Sequence, residues 1–394
     1  MKVHELAPNL WWIGAVDPDL RIFDIIMRAE HGTSYNSYLV KGTQATAIIE
    51  NVKFQFSGDF INQLKSVADP AQIDYIILNH MEPDHSGSIG ELLKIAPGAK
   101  VVVSKSGEHF IKNILNFEPN LMKVGDGDSI DLGGKRLKFI MAPFLHWPDT
   151  MFTYLEEDQA LFGCDFLGAH YADPMLLGDL TPEYIKDFKY YYDHIMRPFK
   201  KYVIQALTKL ENLPLKIIAP SHGPVITHQI QERLKFYRDW SLANPEQKRV
   251  IIAYVSAYGN TAQLAEKLAE GINAAGVPAE IYDLQKVTPA ELVDKIEGSK
   301  GLMLGSPTIN GDALKPVHDV LSSLATIQLK GKIGAAFGSY GWSGEAVPIL
   351  ESRMAGIKFK VINSTVKAIL IPTEADYQNA VEFGKSFGRA VLSE

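Results

Sequence analysis

Apolar positions in this chain follow two successive rhythms. In the first, aromatic and β-branched runs at residues 10–13, 38–40 and 45–49 predict strands, and residues 57–67 predict a helix with Phe60, Ile61 and Leu64 on one face. The mostly apolar run 74–79 predicts a short buried strand. After it come a helix at 89–95, a strand at 100–104 and a helix at 106–116 with Phe110, Ile114 and Leu115 inward. Strand patterns return at 137–140, 151–154 and 160–162. Strand–helix repeats followed by more strands and later helices predict a layered α/β sandwich.

The second rhythm begins beyond Trp240. Residues 241–249 are polar and carry Pro245, the best boundary in the chain, so the predicted domains are residues 1–245 and 250–394. Past the boundary, strands at 250–255, 280–283, 301–304, 332–337 and 366–370 alternate with helices. The clearest helix is 261–275, with Leu264, Leu268 and Ile272 inward. Five such strands predict a flavodoxin-like, doubly wound parallel sheet.

Composition narrows the function classes. At 394 residues, 46% hydrophobic and 22% charged, the chain fits an ordinary soluble globular protein of two domains. A net charge of −7 leaves no basic surplus for neutralising phosphates, which argues against a nucleic-acid partner. Cys164 is the only cysteine, so intrachain disulfides, a cysteine-ligated iron–sulfur cluster and an intrinsic rubredoxin-like centre are excluded. No apolar run reaches bilayer length and the first residues lack a signal-peptide core, so a cytoplasmic protein with no membrane partner is expected.

The densest chemistry follows the 74–79 strand, in His80-Met81-Glu82-Pro83-Asp84-His85. Imidazoles and carboxylates suit divalent transition metals, and a cluster this dense suits two of them. Extended alternation would send residues 80, 82 and 84 to one side, with Pro83 stiffening the loop and Asn79 a poorer further donor. Three more candidates follow apolar strands: His146 before Trp147-Pro148-Asp149, Asp165 after Cys164, and His222 between Ser221 and Gly223. A single histidine after a strand is more often a hydrogen-bonded structural residue than a ligand. Four strand ends that all terminate in His or Asp point to one shared site, able to hold two metals if Asp165 bridges. His31 and His170 are candidates to orient a ligand or donate a proton. His4, His109, His194, His228 and His318 read as helical or loop residues outside the site, Cys164 as a small buried residue, and Phe188, Tyr190, Tyr191 and Tyr192 as packing.

This pattern resembles the metallo-β-lactamase fold, an αββα sandwich whose zinc hydrolases carry His-x-His-x-Asp-His at this loop. Glu82 stands where the second histidine would be. An added carboxylate hardens the site and favours redox-active iron over zinc. The His-x-Glu-x-Asp-His variant, with His-Trp-Pro-Asp and Ser-His-Gly, resembles the flavodiiron proteins over nearly the whole chain. That resemblance implies two non-haem iron ions, one on His80, Glu82 and His146, the other on Asp84, His85 and His222, with Asp165 bridging and His85 the least secure ligand.

In the second domain, Ser256-Ala257-Tyr258-Gly259-Asn260-Thr261 places hydroxyls and amides at a helix N-terminus, an anion site by construction. It has neither the lysine of a triphosphate loop nor the Gly-x-Gly-x-x-Gly of a dinucleotide fold, and it suits the single phosphate of FMN. The loops holding Ser306, Pro307, Thr308, Asn310 and Gly311, and Ser339, Tyr340, Gly341, Trp342 and Gly344, follow the third and fourth strands at the same edge. There Trp342 or Tyr340 could pack against the flavin rings. Both loops resemble the flavin contacts of flavodoxins and flavodiiron proteins.

The resemblance implies electron flow from an external donor through FMN to a diiron site that reduces dioxygen to water, nitric oxide to nitrous oxide, or both. With no rubredoxin-like cysteines and no appended reductase after Glu394, the chain resembles the minimal two-domain class. Rubredoxin, a ferredoxin-like carrier or reduced deazaflavin would be the donor, and a head-to-tail homodimer or dimer of dimers the assembly. The rival readings are a zinc hydrolase with an accessory flavodoxin domain and a non-catalytic flavin electron carrier.

Overall fold

Residues 3–173 and 179–394 are described in this computed structural model, where the chain divides into two units, Met1–Ser241 and Leu242–Glu394. In the first unit the strand Thr46–Ile49 is buried on both faces. Ala47 and Ile49 pack against a second sheet, on Phe139, Leu155 and Phe162 among others, whereas Ile48 packs on the helical residues Phe60, Leu64 and Leu92. A continuous apolar run therefore forms a central strand between two layers.

Its sheet runs in the order His4–Ala7, Leu10–Trp12, Tyr38–Lys41, Thr46–Ile49, Tyr75–Ile77, Lys100–Ser104, Leu121–Val124. Pairing is antiparallel as far as Thr46–Ile49 and parallel from there on. The facing sheet runs Ser129–Asp131, Arg136–Met141, Met151–Leu155, Ala160–Cys164, Ile217–Pro220, antiparallel except for its last pair. On its outer face Phe152, Leu161 and Ile218 pack against Tyr184, Phe188, Val203, Leu207 and Tyr237 of three helices. The architecture is an αββα sandwich, as the family resemblance implied. His4 lies in the first strand, contrary to the expected helix or loop, because Glu5 and its neighbours pair with Trp11 and Trp12.

The second unit is a parallel sheet ordered Ala279–Asp283, Gln247–Tyr254, Ser299–Gly305, Ile333–Tyr340, then Lys360–Val361. Lys367–Ile369 pairs further along Ile333–Tyr340, so the last position is shared by two short segments where one strand was expected. Gln247, Lys248 and Arg249, polar in sequence, already belong to the first strand. Val250 and Ile252 face Leu264, Leu268, Ile272 and Phe387 on one side; Ile251 and Ala253 face Leu292, Ile296, Val317 and Leu350 on the other. Helices on both faces and the reversal of strand order beside Gln247–Tyr254 make the sheet doubly wound, with its ligand crevice at the carboxyl edge.

Candidate functional site

Asn79 anchors the first loop. Its backbone N–H donates to Glu50 Oε1 at 3.0 Å, Thr153 Oγ1 donates to its Oδ1 at 2.7 Å, and its Nδ2 donates to the Phe162 carbonyl at 3.3 Å. Its side chain is thus occupied in tying the two sheets together and is no donor to a metal. Beyond it the extended course stops, because Pro83–Ser86 forms a helical turn with proline at its start. This corrects the expected alternation of 80, 82 and 84: Glu82 and Asp84 face opposite groups of histidines.

Glu82 Oε2 lies 3.2 Å from His80 Nε2 and 2.9 Å from His146 Nε2. Asp84 Oδ2 lies 3.0 Å from His222 Nε2, and Asp84 Oδ1 lies 3.5 Å from His85 Nε2. Asp165 sits between these groups. Its Oδ2 is 3.8 Å from His80 Nε2 and 3.7 Å from His146 Nε2, while its Oδ1 is 3.2 Å from His85 Nε2 and 3.6 Å from His222 Nε2. All seven side chains named in the sequence converge, from separate strand ends, on one pocket.

The outward nitrogens are held by the fold. His80 Nδ1 faces Asp149 Oδ1 at 3.3 Å, and Asp149 Oδ2 accepts the Met81 N–H at 2.8 Å. His222 Nδ1 donates to the Ser34 carbonyl at 2.7 Å. Each leaves Nε2 aimed inward, where the neutral ring would offer its lone pair, the arrangement in which imidazoles ligate metals. Asp84 Oδ1 and His85 Nε2 are buried without a hydrogen-bond partner among the described residues. Buried polar atoms left this way carry a desolvation cost that a bound cation removes. The donor set of imidazoles and carboxylates, with orphaned atoms aimed inward, fits two transition-metal ions.

Charge pairing among these side chains is strong. Burial disfavours the His80 cation, yet hydrogen bonds to Asp149 and Glu82 and the charge of Asp165 carry it up to about 10. Burial opposes ionisation of Glu82 and Asp165, but the surrounding histidines hold both carboxyls below their usual range. Burial pushes the Glu50 carboxyl up to about 8, against the opposing pull of His85 and His80.

Of the two candidate auxiliary histidines, His170 borders the site and His31 pairs elsewhere. The His170 ring stacks on Phe23 with centroids 4.2 Å apart, lies 5.3 Å from the His222 ring and bonds Thr33 Oγ1 through Nδ1 at 3.0 Å. Burial, then the nearby His222, keeps it neutral. His31 is partly exposed and meets Asp187 Oδ2 through Nδ1 at 2.5 Å. Tyr191, read from the sequence as packing, reaches the site: its hydroxyl donates to Asp165 Oδ1 at 2.8 Å, just before a π-helical turn, Tyr192–Met196. Its only sequence signal was a hydroxyl within an aromatic run. Asp149 had a better one, its place in His-Trp-Pro-Asp.

The second unit presents its own cradle. Gly259 precedes the helix Asn260–Ala274 with φ +84° and, as its N-cap residue, has no side chain to bond the first-turn amides. Thr261 Oγ1 and Ser339 Oγ meet at 2.9 Å, and Ser256 Oγ accepts the Ala262 N–H at 3.3 Å. These hydroxyls and free amides suit a phosphate. Thr308, Asn310, Gly311, Gly341 and Trp342 line a neighbouring cleft of about 230 Å³. Tyr258 and Trp342 are 90% and 95% exposed, aromatic surface that a planar ring would cover. Ser306 turns its hydroxyl inward, donating to the Pro307 carbonyl at 2.8 Å and accepting the Leu314 N–H at 2.9 Å, so it shapes the loop. Tyr340 packs against Gly344, where an added Cβ would lie 3.1 Å from the ring. The arrangement fits FMN.

Comparison with known proteins agrees with both units. The family described as ODP family beta lactamase matches residues 33–223, and Flavodoxin matches residues 252–384. The chain is 43% identical over 401 residues to the "Flavo-diiron protein FprA2" of Clostridium acetobutylicum, covering 99% of this chain and 100% of that one. It is 32% identical over 393 residues to a "Nitric oxide reductase" of Moorella thermoacetica, covering 98% of each. The solved structure of rubredoxin oxygen:oxidoreductase from Desulfovibrio gigas superposes with a TM-score of 0.72 at 26% identity, over 100% of this chain and 99% of that one.

Proposed function

The chain belongs to the flavodiiron proteins, and on that premise we infer that it carries electrons from an external donor to dioxygen, nitric oxide or both. It is an oxidoreductase: when bound, FMN relays electrons singly or in pairs, and two non-haem irons supply the redox chemistry that converts dioxygen to water or nitric oxide to nitrous oxide. His80, Glu82 and His146 would hold one iron, Asp84, His85 and His222 the other, and Asp165, whose two oxygens face the two groups, would serve both. The observation that carries this reading is Glu82, whose Oε2 stands within 3.2 Å of both His80 and His146 Nε2. A carboxylate there makes the donor set harder than that of a zinc hydrolase.

Ser256, Asn260, Thr261 and the adjoining amides would hold the flavin phosphate, with Gly259 allowing close approach. The cleft lined by Thr308, Asn310, Gly311 and Gly341 would take its ring system, with the exposed Tyr258 and Trp342 available to cover it. Pro307, Ser306, Ser339, Tyr340 and Gly344 shape those loops.

The assembly is a head-to-tail homodimer or a dimer of such dimers. Apolar surface beside each site supports it. Ile25 and Ile26, 92% and 78% exposed, flank Asp24, whose carboxyl feels Glu82 and Asp84. In the second unit Trp342, Ile369, Leu370 and Ile371 are exposed. Large apolar side chains left exposed next to one another in sequence, as at 25–26 and 369–371, are the kind of surface that marks protein contacts. Rubredoxin, a ferredoxin-like carrier or reduced deazaflavin delivers the electrons, and the protein works in the cytoplasm; no helix among the described residues is long and apolar enough to cross a membrane.

Anaerobic turnover with each gas and each donor, alongside metal analysis, tests the proposal. Two irons and one FMN per chain with gas consumption are expected. Zinc with thioester or lactam hydrolysis and no gas consumption would move the chain to the hydrolase reading; slow reoxidation without turnover would make it a carrier.

A further inference from the structure

We propose that Glu50 is the positioning residue for His85, and that through it Glu50 sets how the pocket on the Asp84 and His222 side takes its metal. This rests on the diiron reading above. Glu50 follows the central strand Thr46–Ile49, in a left-handed conformation with φ +62°, and its residue is 1% exposed. Its backbone is fixed on both sides: the N–H donates to the Ile77 carbonyl at 2.8 Å, and the carbonyl accepts the Ser37 hydroxyl at 2.8 Å. One side-chain oxygen, Oε1, accepts the Asn79 N–H. The other, Oε2, is buried with no hydrogen-bond partner among the described residues.

What faces that carboxylate is His85. A carboxylate oxygen of Glu50, a ring nitrogen of His85 and the sulfur of Cys164 all lie within 4.8 Å of one another. Asn51, the next residue, donates its N–H to the His85 carbonyl at 2.9 Å, so the same segment grips the His85 backbone. At the same time His85 Nε2 is drawn toward Asp165 Oδ1 and Asp84 Oδ1. His85 is thus close to the carboxyl groups of Asp84, Asp165 and Glu50, whereas His80 Nδ1 has Asp149 and His222 Nδ1 has the Ser34 carbonyl as its partner. Holding the Asn79 N–H needs one acceptor oxygen and no charge. A buried second oxygen without a partner is costly, and a ring N–H of His85 turned toward it would satisfy it while fixing that imidazole.

Glu50→Gln keeps the side-chain volume and the acceptor for Asn79 while replacing the second oxygen, placed to accept from the His85 ring, with an amide group that cannot accept. It is compared, in the full chain, with His85→Ala and with the double variant, by iron and FMN content, Mössbauer spectra of isotope-enriched protein, and thermal unfolding. Glu50→Gln is expected to weaken retention of one iron about tenfold, to change the spectrum of one iron only, and to leave FMN at its original stoichiometry. In the His85→Ala background it should change neither retention nor spectrum further, since its effect runs through that ring. Unchanged spectra of both irons in Glu50→Gln, or effects that add to those of His85→Ala, would overturn the proposal. Wild-type protein that holds zinc instead of iron would overturn the diiron reading itself, a separate outcome of the same metal analysis.

Discussion

Tyr191 Oη donates to Asp165 Oδ1 at 2.8 Å, from a ring that is itself buried. The acceptor is the carboxylate that faces both groups of histidines, so this phenol helps decide how Asp165 divides its two oxygens. Tyr191→Phe removes the donor and little volume. A hydrogen bond to a charged acceptor contributes about 1.5–3 kcal/mol. In metal-free protein the loss should approach that range; in iron-loaded protein it should be smaller, because the metals share the charge. Urea unfolding with and without iron measures both, and equal losses in the two states would show that Tyr191 serves packing alone.

Asp165→Ala should empty the metal pocket and leave FMN at full stoichiometry, since the flavin cradle is built from the other unit. The reciprocal lesion is Thr261→Val, which removes the hydroxyl that meets Ser339 Oγ at 2.9 Å. It should weaken FMN severalfold and spare both irons. Iron and flavin counts on the two variants check this. Two irons retained in Asp165→Ala would remove the bridging assignment.

Why the metal pocket was legible and its supports were not is clear from particular residues. His80, Glu82, Asp84 and His85 are adjacent in sequence, and His146, Asp165 and His222 each end a recognisable apolar strand. Periodicity places strand ends well, and the side chains that converge lie at those ends or in the loops just beyond them. Glu50 also ends such a strand, but a lone acidic residue there has no pattern partner. Tyr191 lies 26 positions from Asp165 on a helix, where its aromatic neighbours make packing the natural reading. The helical turn Pro83–Ser86 was hidden because so short a helix has no period of its own. The shared last position of the flavodoxin-like sheet was hidden likewise, because two short segments on one neighbour read as one strand in sequence.

Metal loading should release protons. In the metal-free pocket His80 is carried up to about 10, above the value of about 6.5 for an unfolded histidine. Its ion pairs therefore support the metal-free fold fully below about 6.5, and that support fades as the pH rises through about 10. A metal needs the neutral ring, so binding near neutral pH must expel the proton. Ferrous iron added anaerobically in weak buffer should acidify it, and apparent affinity should climb from pH 6.5 to 8. Flat affinity over that window, with no proton release, would mean that His80 is already neutral in the empty pocket.

Gly223 ties His222 to the short strand Thr33–Tyr35. Its φ is +79°, and an added Cβ would lie 2.5 Å from the Ala169 carbonyl oxygen. Its N–H donates to Ser34 Oγ at 2.8 Å, while the preceding His222 uses Nδ1 on the Ser34 carbonyl at 2.7 Å. Residues 222 and 223 are thus pinned to one serine, in a backbone conformation that costs an L-residue about 1–2 kcal/mol before any clash is counted. Gly223→Ala must push the chain away from Ala169, and His222 moves with it. Since His222 Nε2 now stands 3.0 Å from Asp84 Oδ2, even a small shift opens the pocket that those two share with His85. The variant should lose iron from that pocket first, and its unfolding midpoint should fall, while FMN in the other unit stays bound. Full iron occupancy with an unchanged midpoint would mean that the Ala169 segment yields freely and that His222 is positioned by Ser34 alone.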